Sequence, residues 1–350
     1  MKLKGKRVLI TGADGFIGSH LVEKLIDQQC EIRAMTLYNS FNSWGWLDSL
    51  NKATLKEIEV YPGDMRDKKS VQNACKGIDV IFHLASLIAI PHSYHSPYAY
   101  LDTNATGALN LLETCLDLPI EKIIHTSTSE VYGEYDKVPI SEKEKIIARS
   151  PYAASKIAAD QIAYSYFSTF ELPVSIIRPF NTYGPRQSNR AIIPTIITQA
   201  IHDKKIKLGS LYPTRDFTYI EDTISAFEAI AETDQSIGRI INIGTGYEIS
   251  IHDLVECIKS ILKIDIDVIS DTKRIRPKSG EVFRLKADNK LARELLKWHP
   301  KYTGKKGLID GLKITINWFN KSENLKLYKS DIYNTVSYTH LTLPTRRFVG

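Results

Sequence analysis

The chain has 350 residues, of which 43% are hydrophobic and 25% are charged, and its formal net charge is +6. This length is enough for one large domain or two unequal lobes around a buried core. The mild, dispersed charge argues against a nucleic-acid partner, and no apolar run approaches the ~20 residues of a membrane span. The first residues lead directly into a strand, without an apolar leader, so we expect a cytoplasmic protein.

Residues that commonly bind metals lack the spacing of a metal site. His92 and His95 have an HxxH spacing, but no set of carboxylates accompanies them, so we predict no bound metal. The cysteines are scattered without paired spacing, which predicts neither a disulfide framework nor a zinc site. They are Cys30, Cys75, Cys115 and Cys257.

The C-terminal run is set apart from the fold. Residues Val336 to Thr345 resemble the translation of a common sequencing-library adapter, and they follow a predicted helix and a polar stretch. We therefore interpret residues 336–350 as an assembly artefact and exclude them from the fold, as one would exclude a vector scar.

A short apolar strand near the N-terminus runs directly into a glycine-rich turn and a helix. The strand from Lys6 to Thr11 is followed by Gly12, Gly15 and Gly18, and then by apolar residues at helical spacing. Such glycines permit a tight turn, close approach of a pyrophosphate and close helix–strand packing, and the helix N-terminus offers N–H groups to the phosphates. The strand–turn–helix context therefore predicts a bound dinucleotide.

Later strands end in residues suited to the rest of this cofactor. The second strand ends near Thr36, where NAD enzymes often carry an acid and NADP enzymes an arginine. Because no arginine is placed to receive a 2′-phosphate, we choose NAD over NADP. Asp64 follows the third strand, where it could accept from the adenine amino group. The predicted cofactor-binding residues are Gly12, Gly15, Phe16, Ile17, Gly18, Thr36, Asp64, Met65, Leu84, Ala85, Ser86, Asn104, Tyr152 and Lys156.

The stretch between the fifth and sixth predicted strands carries the strongest chemical signal. An apolar run breaks into Thr128, Ser129 and Glu130, and polar groups at the end of a buried strand point to a cleft, because burial without partners is costly. Tyr152 and Lys156 are four residues apart on one face of a predicted helix. An ammonium beside a phenol lowers the pKa of the phenol, which would make Tyr152 a usable base near neutral pH. These five residues are the predicted catalytic set.

Strands and helices alternate through the first half of the chain. This pattern predicts an α/β fold with a Rossmann-like, doubly wound parallel sheet and helices on both faces. A long helix is expected from Pro97 to Leu118, and a sixth strand from Val174 to Pro179. Beyond this strand the alternation weakens, which indicates a smaller C-terminal α/β substrate lobe, interleaved with the first. We assign residues 1–185 to the cofactor domain with the catalytic residues and 186–335 mainly to the substrate lobe.

Five motifs together resemble the extended short-chain dehydrogenase/reductase family: TGADGFIG, HTSTSEVYG, YAASK, RPFNTYGP and RDFTYIED. The resemblance covers about residues 5–320. Within the family the chain is most similar to nucleotide-sugar 4,6-dehydratases. The segments YNSFNSWGWLDSL, IAIPHSYHSPYAY and RPFNTYGPRQS look closest to the dehydratases of legionaminic-acid-type pathways, which act on nucleotide-linked N-acetylglucosamine. The family also implies a homodimer or higher homo-oligomer, formed through the helices after the fourth and fifth strands.

The resemblance implies a role for each residue of the catalytic set. Tyr152 would remove the O4 proton of the sugar while hydride leaves C4 for NAD, and Thr128 would hydrogen-bond O4. Lys156 would also hold the nicotinamide ribose. Glu130 would take the C5 proton and, with Ser129 or water, help to expel the C6 hydroxyl, after which hydride returns to C6. The product would be a 4-keto-6-deoxy sugar.

Residues further along the chain are expected to hold the diphosphate of the substrate. Asn181 follows the sixth strand, Arg215 begins a short predicted strand, and Arg276 lies with Arg274 and Arg284 in a segment that contains proline and glycine. Arginine suits a diphosphate because it binds bidentately, although each of these arginines taken singly is also typical of a solvated surface charge. We select Asn181, Arg215 and Arg276 as substrate-binding residues.

Glu130 distinguishes between the subclasses that the resemblance leaves open. Epimerases of the family usually carry a small or hydroxyl residue there, whereas a dehydratase needs a carboxylate to remove the C5 proton. Glucose 4,6-dehydratases have an aspartate where this chain has Ser129, and the Thr-Ser-Glu pattern is similar to GDP-mannose 4,6-dehydratases. UDP-glucuronate decarboxylases carry a similar Ser-Glu pair and, with 4-epimerases, are the competing enzyme classes. A non-catalytic NAD(P) sensor on the same fold is the competing function of a different kind.

Overall fold

The computed structural model describes residues 1–135, 137–202, 205–274 and 282–328, and for Lys273 the backbone alone. Arg276 and the run 336–350 lie outside the described residues. The strands are β1 Arg7–Thr11, β2 Glu31–Thr36, β3 Ile58–Pro62, β4 Val80–His83, β5 Lys122–Thr126, β6 Val174–Pro179, β7 Asn181–Tyr183, β8 Lys205–Leu208, β9 Thr214–Tyr219, β10 Ile240–Ile243, β11 Glu248–Ser250, β12 Asp267–Ser270 and β13 Arg284–Leu285.

Helices connect most of these strands. They are α1 Phe16–Asp27, α2 Lys52–Lys56, α3 Lys68–Cys75, α4 Ile90–Ser93, α5 Pro97–Tyr100, α6 Gly107–Cys115, α7 Pro151–Phe170, α8 Ile192–His202, α9 Ile220–Glu232, α10 Ile251–Leu262, α11 Lys290–Leu296, α12 Gly304–Phe319 and α13 Ser322–Leu325. Within the described residues, no helix has both the length and the hydropathy needed to cross a lipid bilayer.

Seven of the strands form one parallel sheet in the order β10-β6-β5-β4-β1-β2-β3. The order runs outward in both directions from the β1–β4 pair, so the helices that follow these two strands cover opposite faces. A crevice therefore opens at their carboxyl ends, which is where open α/β sheets bind ligands. The predicted doubly wound sheet is confirmed.

Both faces of this sheet are buried, because successive side chains along each strand point to opposite sides. Val8 and Ile10 of β1 join a large core cluster with residues of α1 and α9. Leu9, between them, joins a second cluster with residues of α3 and α6. The sheet thus lies between two hydrophobic cores, which hold the carboxyl ends of its strands in fixed positions.

The helix predicted from Pro97 to Leu118 is present but is interrupted. α5 passes into a π-helical segment, Leu101–Thr106, which continues into α6, and α6 ends at Cys115. The prediction was wrong in treating this stretch as one regular helix. Single π-helical turns are frequent at functional sites, and this one carries Asn104.

A second, smaller group of strands packs beside the sheet. β9 pairs with β7, β11 and β13, and β8 pairs with β12. The chain returns from β9 to the main sheet at β10 and then leaves it again at β11. The C-terminal lobe is therefore interleaved with the first, as predicted. The boundary at residue 185 stays a prediction.

Buried Asp216 of β9 holds the second lobe together. Its carboxylate accepts from the backbone N–H and the hydroxyl of Thr245 at 2.9 and 2.6 Å. It also accepts from the N–H groups of Gly246 at 2.8 Å and Ala287 at 3.1 Å. Because these donors come from two separate segments, one carboxylate joins the loop after β10 to the strand end after β13. Asp216, the first aspartate of the RDFTYIED motif, is therefore a structural residue.

Candidate active site

The polar groups predicted to be catalytic lie at the carboxyl end of β5. This strand is buried along most of its length and is followed by a 3₁₀ turn, Ser129–Tyr132. Thr128 begins the turn, and its hydroxyl oxygen accepts the backbone N–H of Glu130 at 3.3 Å. A side-chain cap of this kind satisfies a donor that the turn itself leaves open. The cap places Thr128, Ser129 and Glu130 on one short, ordered segment beside the crevice.

Helix α7 brings the second half of the predicted set to the same place. Ser150 caps the helix by accepting the N–H of Ala153 at 3.1 Å, and Pro151 occupies the first helical position. Tyr152 therefore lies in the first turn and Lys156 one turn later, both of them buried. The hydroxyl of Thr128 hydrogen-bonds the phenol oxygen of Tyr152. The fold thus brings the two segments of the predicted catalytic set together.

Burial is the main influence on the pKa values of Tyr152 and Lys156. Burial of the phenol raises the pKa of Tyr152 above its ordinary value, the hydrogen bond from Thr128 lowers it, and the charge of Glu130 raises it. Burial also lowers the pKa of Lys156 to about 8. The ammonium of Lys156 donates to the carbonyl oxygen of Thr126 at 2.6 Å. Desolvation is therefore the largest of these effects on Tyr152, and the lowering of its pKa by Lys156 together with a bound nicotinamide stays a prediction.

Tyr100 packs against Tyr152 and was missed by sequence reasoning. Its ring meets that of Tyr152 edge to face, with centroids 6.2 Å apart and an interplanar angle of 79°. Its hydroxyl donates to the carbonyl oxygen of Ala89 at 2.6 Å. The exposed His92 lies on the other side, with its ring centroid 5.8 Å from that of Tyr100. No pattern in the sequence distinguishes Tyr100 from its neighbours, since its role depends on this packing.

The glycine-rich turn between β1 and α1 has the geometry of a phosphate-binding loop. Gly12 has a positive φ of 69°, and a Cβ atom there would lie 2.8 Å from the backbone nitrogen of Ala85. A Cβ on Gly18 would lie 2.2 Å from the carbonyl oxygen of Gly12. Gly15 differs from both, since a Cβ there would meet only the Gly12 oxygen, at 3.3 Å. Two glycines are thus required by the fold, whereas at the third, which caps α1, a Cβ would make one tight contact with a backbone oxygen.

That helix N-terminus is suited to a pyrophosphate. Gly15 caps α1 without a side-chain hydrogen bond, and the first turn, which begins with Phe16 and Ile17, carries no acidic residue. N–H groups and the positive end of a helix dipole favour an anion at such a position. The residues present therefore fit a dinucleotide cofactor, the group that the sequence predicts.

Thr11 ties the end of β4 to this loop and was also missed by sequence reasoning. Its hydroxyl oxygen accepts the N–H groups of Leu84 and Ala85, each at 3.1 Å. With both lone pairs used, its hydrogen is donated to Nδ1 of His83, 2.8 Å away. The imidazole of His83 therefore carries its proton on Nε2. These contacts hold Leu84 and Ala85, two predicted cofactor neighbours, directly beside Gly12.

Asn104 is placed differently from its predicted role. Its amide oxygen accepts from the hydroxyl of Ser86 at 2.9 Å and from the N–H of Leu87 at 2.8 Å. Its amide nitrogen donates to the Leu87 carbonyl at 3.0 Å and to the Ser155 hydroxyl at 2.9 Å. An amide side chain has two acceptor and two donor positions, and all four are used. Asn104 therefore supports the site by joining the β4 loop to α7, and its side chain has no hydrogen-bonding capacity left for a cofactor.

The residues predicted at the adenosine end lie together at the ends of β2 and β3. Thr36 is buried, and its carbonyl oxygen accepts the N–H of Gly63 at 2.8 Å. The carboxylate of Asp64 pairs with Arg66, with a shortest distance of 2.6 Å, and this hydrogen bond holds the pKa of Asp64 below its ordinary value. Met65 is buried. Asp64 is thus charged and paired with Arg66, and its contact with adenine stays a prediction.

Two of the three predicted substrate residues come from neighbouring strands. Asn181 of β7 lies opposite Phe217 of β9, two positions from Arg215 on the same strand. The buried amide oxygen of Asn181 finds no hydrogen-bond partner within the described ranges. Arg215 is largely buried and donates to the Thr214 carbonyl at 2.9 Å. A buried acceptor without a partner is costly unless a ligand satisfies it. Arg276, the third residue, lies outside the described residues.

The described part of the chain contains no group of three or more His, Cys, Asp or Glu side chains that could hold a metal. The site is therefore built from hydroxyls, one phenol, one ammonium and one carboxylate beside a dinucleotide loop. This set can move protons to and from a hydroxyl and a carbon while a dinucleotide is held nearby.

The fold and the site together define an extended short-chain dehydrogenase/reductase, the class that the motifs predict. The family described as GDP-mannose 4,6 dehydratase matches residues 9–310. The chain belongs to this family. A dTDP-D-glucose 4,6-dehydratase from Dictyostelium discoideum is 34% identical over 279 residues, which are 75% of this chain and 62% of that protein. A UDP-N-acetyl-α-D-glucosaminuronate decarboxylase from Bacillus cytotoxicus is 31% identical over 91% of this chain and 99% of its own length.

Solved structures agree with this placement. A dTDP-glucose 4,6-dehydratase from Streptomyces venezuelae with NAD bound has a TM-score of 0.80 and 27% identity, over 92% of this chain and 99% of that one. A UDP-glucuronic acid 4-epimerase from Bacillus cereus with UDP-glucuronic acid and NAD has a TM-score of 0.81 and 30% identity, over 92% and 100%. Both hold NAD, in agreement with the predicted cofactor. The family is therefore one of nucleotide-sugar-modifying enzymes, whose named members dehydrate, decarboxylate or epimerise.

Proposed function

We propose that this protein is an NAD-dependent nucleotide-sugar 4,6-dehydratase. The proposal rests on the position of Glu130. It lies in the turn that Thr128 caps, and its negative charge raises the pKa of Tyr152. Oxidation at C4 alone, as in an epimerase, needs the phenol and the hydroxyl but has no use for this carboxylate. Elimination of water needs a base for the C5 proton, which the C4 ketone makes acidic. We assign this base to the carboxylate of Glu130.

Tyr152 is the base for the sugar 4-hydroxyl. Its phenol is buried and hydrogen-bonded to Thr128, so the two side chains can share the O4 proton between them. A phenol whose pKa is raised by burial is a weak base until a positive charge lies beside it. Lys156, one helical turn away, and a bound nicotinamide ring both supply such a charge.

Glu130 and Ser129 act at the next step. The Glu130 carboxylate takes the C5 proton, and Ser129, which is buried beside it, assists the departing C6 hydroxyl directly or through a water molecule. Both residues belong to one 3₁₀ turn that is capped by Thr128, so the acid–base groups are held in a fixed relation to each other. Positioning of this kind is where the protein contributes most to the rate.

The cofactor is NAD. When bound, it supplies a hydride acceptor for C4 and a hydride donor for C6, so the reaction needs no external reductant. Gly12, Gly15 and Gly18 would hold its pyrophosphate at the N-terminus of α1, and Thr36, at the end of β2, would contact its adenosine ribose. Lys156 would hold the nicotinamide ribose, and Asn104 would support the loop after β4.

The substrate is a nucleotide-linked N-acetylglucosamine, with Asn181 and Arg215 holding its diphosphate. The unpartnered amide oxygen of Asn181 and the largely buried guanidinium of Arg215 support this assignment. UDP-glucuronate decarboxylation is the second candidate function. The Ser129–Glu130 pair and the similarity to a Bacillus cytotoxicus decarboxylase favour decarboxylation over 4-epimerisation for this second place.

A homodimer is part of the proposal. Large apolar side chains are exposed along the helices after β4 and β5, on which a second copy would pack. They are Tyr98, Leu101, Tyr164 and Phe170. Sedimentation analysis of the wild type and of Leu101→Lys tests this part, and a wild-type monomer would contradict it.

Mass spectrometry of turnover products tests the reaction. UDP-, GDP- and dTDP-linked N-acetylglucosamine and UDP-glucuronate are each incubated with the purified protein, without added cofactor. Loss of one water from an N-acetylglucosamine substrate supports the dehydratase, and the preferred nucleotide identifies the substrate. Loss of carbon dioxide from UDP-glucuronate would show a decarboxylase and overturn the dehydratase assignment. A product of unchanged mass would show an epimerase. A protein that binds NAD but turns over none of these substrates would point to the sensor.

A further inference from the structure

An ionised aspartate lies fully buried behind the catalytic residues. Tyr152, Lys156 and Asp160 are spaced by four along α7, so they share one face of the helix. Oδ2 of Asp160 accepts from the hydroxyl of Ser127 at 2.6 Å and from the guanidinium of Arg178 at 2.8 and 3.2 Å. None of these contacts belongs to the chemistry proposed above. Asp160 and Arg178 therefore need a separate explanation.

Arg178 extends the link from Asp160 to a second point on the catalytic segment. It projects from β6, is almost fully buried, and donates from Nη1 to the hydroxyl of Tyr132 at 3.0 Å. The guanidinium also lies over the ring of Tyr132, 5.0 Å from its centroid. The hydroxyl of Tyr132 in turn donates to the amide oxygen of Asn242 on β10 at 2.8 Å. The network thus runs from α7 through β6 to the outermost strand of the sheet.

The two ends of this network enclose the catalytic turn. Ser127 directly precedes Thr128, and Tyr132 ends the 3₁₀ turn that contains Ser129 and Glu130. Both side chains are tied to the same ion pair, one through each partner. A segment that is fixed at both ends has little freedom to move relative to α7, which bears Asp160, and β6, which bears Arg178.

Burying this pair is costly, which makes its presence informative. Two desolvated charges often stabilise a fold no better than well-packed apolar side chains would. Burial opposes ionisation of Asp160, but its contact with His125 and the charge of Arg178 outweigh it and keep the pKa of the carboxyl below its ordinary value. Nε2 of His125 lies 3.4 Å from Oδ1 of Asp160. A fold that retains such a pair gains fixed geometry, since charged hydrogen bonds tolerate little displacement.

We propose that Asp160 and Arg178 are positioning residues that clamp the segment 127–132 to α7, and so set the distance between Thr128 and Glu130 on one side and Tyr152 on the other. The inference rests on the proposed function only for its kinetic readout. A displacement of about 1 Å can cost about 100-fold in rate. Loosening this clamp should therefore lower kcat more than it affects binding.

The test removes the tethers and leaves the ion pair in place. Replacing Asp160 alone would leave Arg178 buried and unpaired, and such a variant risks failing to fold. Ser127→Ala deletes one tether and Tyr132→Phe deletes the other, and each changes a single hydroxyl. The double variant Ser127→Ala/Tyr132→Phe completes the cycle, because residues that act as a unit show non-additive effects.

Two matched controls make the same chemical changes elsewhere in the fold. Ser175→Ala removes a buried hydroxyl of β6 that lies 2.9 Å from the hydroxyl of Ser236. Tyr183→Phe removes a buried hydroxyl that donates to the Leu308 carbonyl at 3.1 Å. Both should lower the melting temperature by amounts similar to those of the test variants. Neither should change kcat, because neither touches the catalytic segment.

Two readouts are combined, and one of them needs no substrate. Hydrogen exchange of the peptide covering residues 126–133, followed by mass spectrometry, should accelerate by about fivefold in each single variant, as expected for one lost hydrogen bond. With the nucleotide sugar that the wild type turns over, kcat should fall by about tenfold or more, while KM stays within about twofold of the wild type. The double variant should lose less than the product of the two single losses.

The outcomes separate this inference from the proposed function. If both test variants match their controls in exchange and in kcat, the clamp does not exist. If exchange accelerates but kcat is unchanged, the contacts are only structural and the positioning role is overturned. If the wild type turns over no nucleotide sugar, the proposed function fails, and unchanged exchange in the variants would then overturn the clamp independently.

Discussion

Lys156 donates its ammonium to the carbonyl oxygen of Thr126, 2.6 Å away, at the end of the strand that leads to Thr128. The lysine therefore links α7 to β5 by a charged hydrogen bond inside the core. Such a link stabilises less than its short length suggests, because the ammonium has been taken out of water. Burial lowers the pKa of Lys156 to about 8, and this cost can be measured.

Replacing Lys156 with methionine should make the protein more stable and inactive. A shift from 10.5 to about 8 corresponds to about 3 kcal/mol, less about 1 kcal/mol for the lost hydrogen bond. We therefore expect the free energy of unfolding to rise by about 2 kcal/mol at pH 7. The gain should shrink between pH 8 and pH 10.5, where the unfolded wild type holds more protons than the folded one. Urea unfolding at several pH values measures it.

Lys122 provides the matched control for that experiment. It is also buried with its pKa lowered to about 8, but it donates to the Thr233 carbonyl and the Ser236 hydroxyl, remote from the catalytic segment. Lys122→Met should leave the reaction rate unchanged. A Lys156→Met variant that is active, or less stable than the wild type at pH 7, would contradict the prediction.

Glu130→Gln should separate oxidation from elimination. The amide keeps the shape of the side chain but cannot take the C5 proton, so C4 oxidation should proceed and water loss should fall by about 100-fold or more. Reduced cofactor should then accumulate on the protein and absorb at ~340 nm, the band of reduced nicotinamide. Glu134→Gln is the control, since Glu134 pairs with Arg149 at 3.6 Å outside the 3₁₀ turn. Normal water loss by the Glu130 variant would exclude its assigned role.

Alanine should weaken NAD binding at Gly15 but lower the stability of the fold at Gly18. In Gly15→Ala the new Cβ meets only one backbone oxygen, at 3.3 Å, and the backbone φ of −81° is unstrained, so the fold should remain stable. The methyl group would occupy the space facing the phosphates, so the Kd for NAD should rise by about tenfold or more. In Gly18→Ala the Cβ would lie 2.2 Å from the Gly12 oxygen, and stability itself should fall.

Calorimetric titration with NAD and thermal unfolding distinguish these two effects. If Gly15→Ala binds NAD as the wild type does, the pyrophosphate does not lie at this turn. If it unfolds as easily as Gly18→Ala does, the space beside Gly15 is not available to a methyl group.

Partly buried His20 should make the protein sensitive to mild acid. Burial first, and the charge of Arg186 second, lower the pKa of His20 from 6.5 to about 4. As the pH falls from 6.5 to 4, the unfolded chain takes up a proton that the folded chain refuses, so stability falls with pH, by up to about 3 kcal/mol. His20→Gln can still donate to the Pro185 carbonyl, which the imidazole contacts at 3.0 Å, and should flatten this dependence.

Exposed His252 is the control for this titration. His252→Gln should leave the slope of stability against pH as it is in the wild type, because the side chain lies on the surface. The two variants are compared by urea unfolding between pH 4 and pH 6.5. A His20→Gln variant with the wild-type slope would assign the acid sensitivity to other groups, of which His83 and His125 are both buried with lowered pKa values.

Much of the fold and part of the site could be predicted from the sequence. Alternation of strands and helices, the spacing of Gly12, Gly15 and Gly18, and polar residues after β5 and β6 are local signals. Parallel strands bring their carboxyl ends to one edge, so these signals also placed the polar residues after β5 beside the glycine-rich turn after β1. The sixth strand, Val174–Pro179, has the predicted bounds. Short-range periodicity is enough for such features, because each depends on residues within a few positions.

Other features depend on contacts between residues far apart in the chain. Asp160 meets Ser127 and Arg178, and Tyr132 meets Asn242 across 110 positions. The saturation of the Asn104 side chain likewise required three separate segments to be brought together. The burial that raises the pKa of Tyr152 likewise has no local signal in the sequence, because desolvation depends on everything that surrounds a group. Burial and long-range hydrogen bonding arise only when the chain is folded, and they determine which polar residues remain available for chemistry.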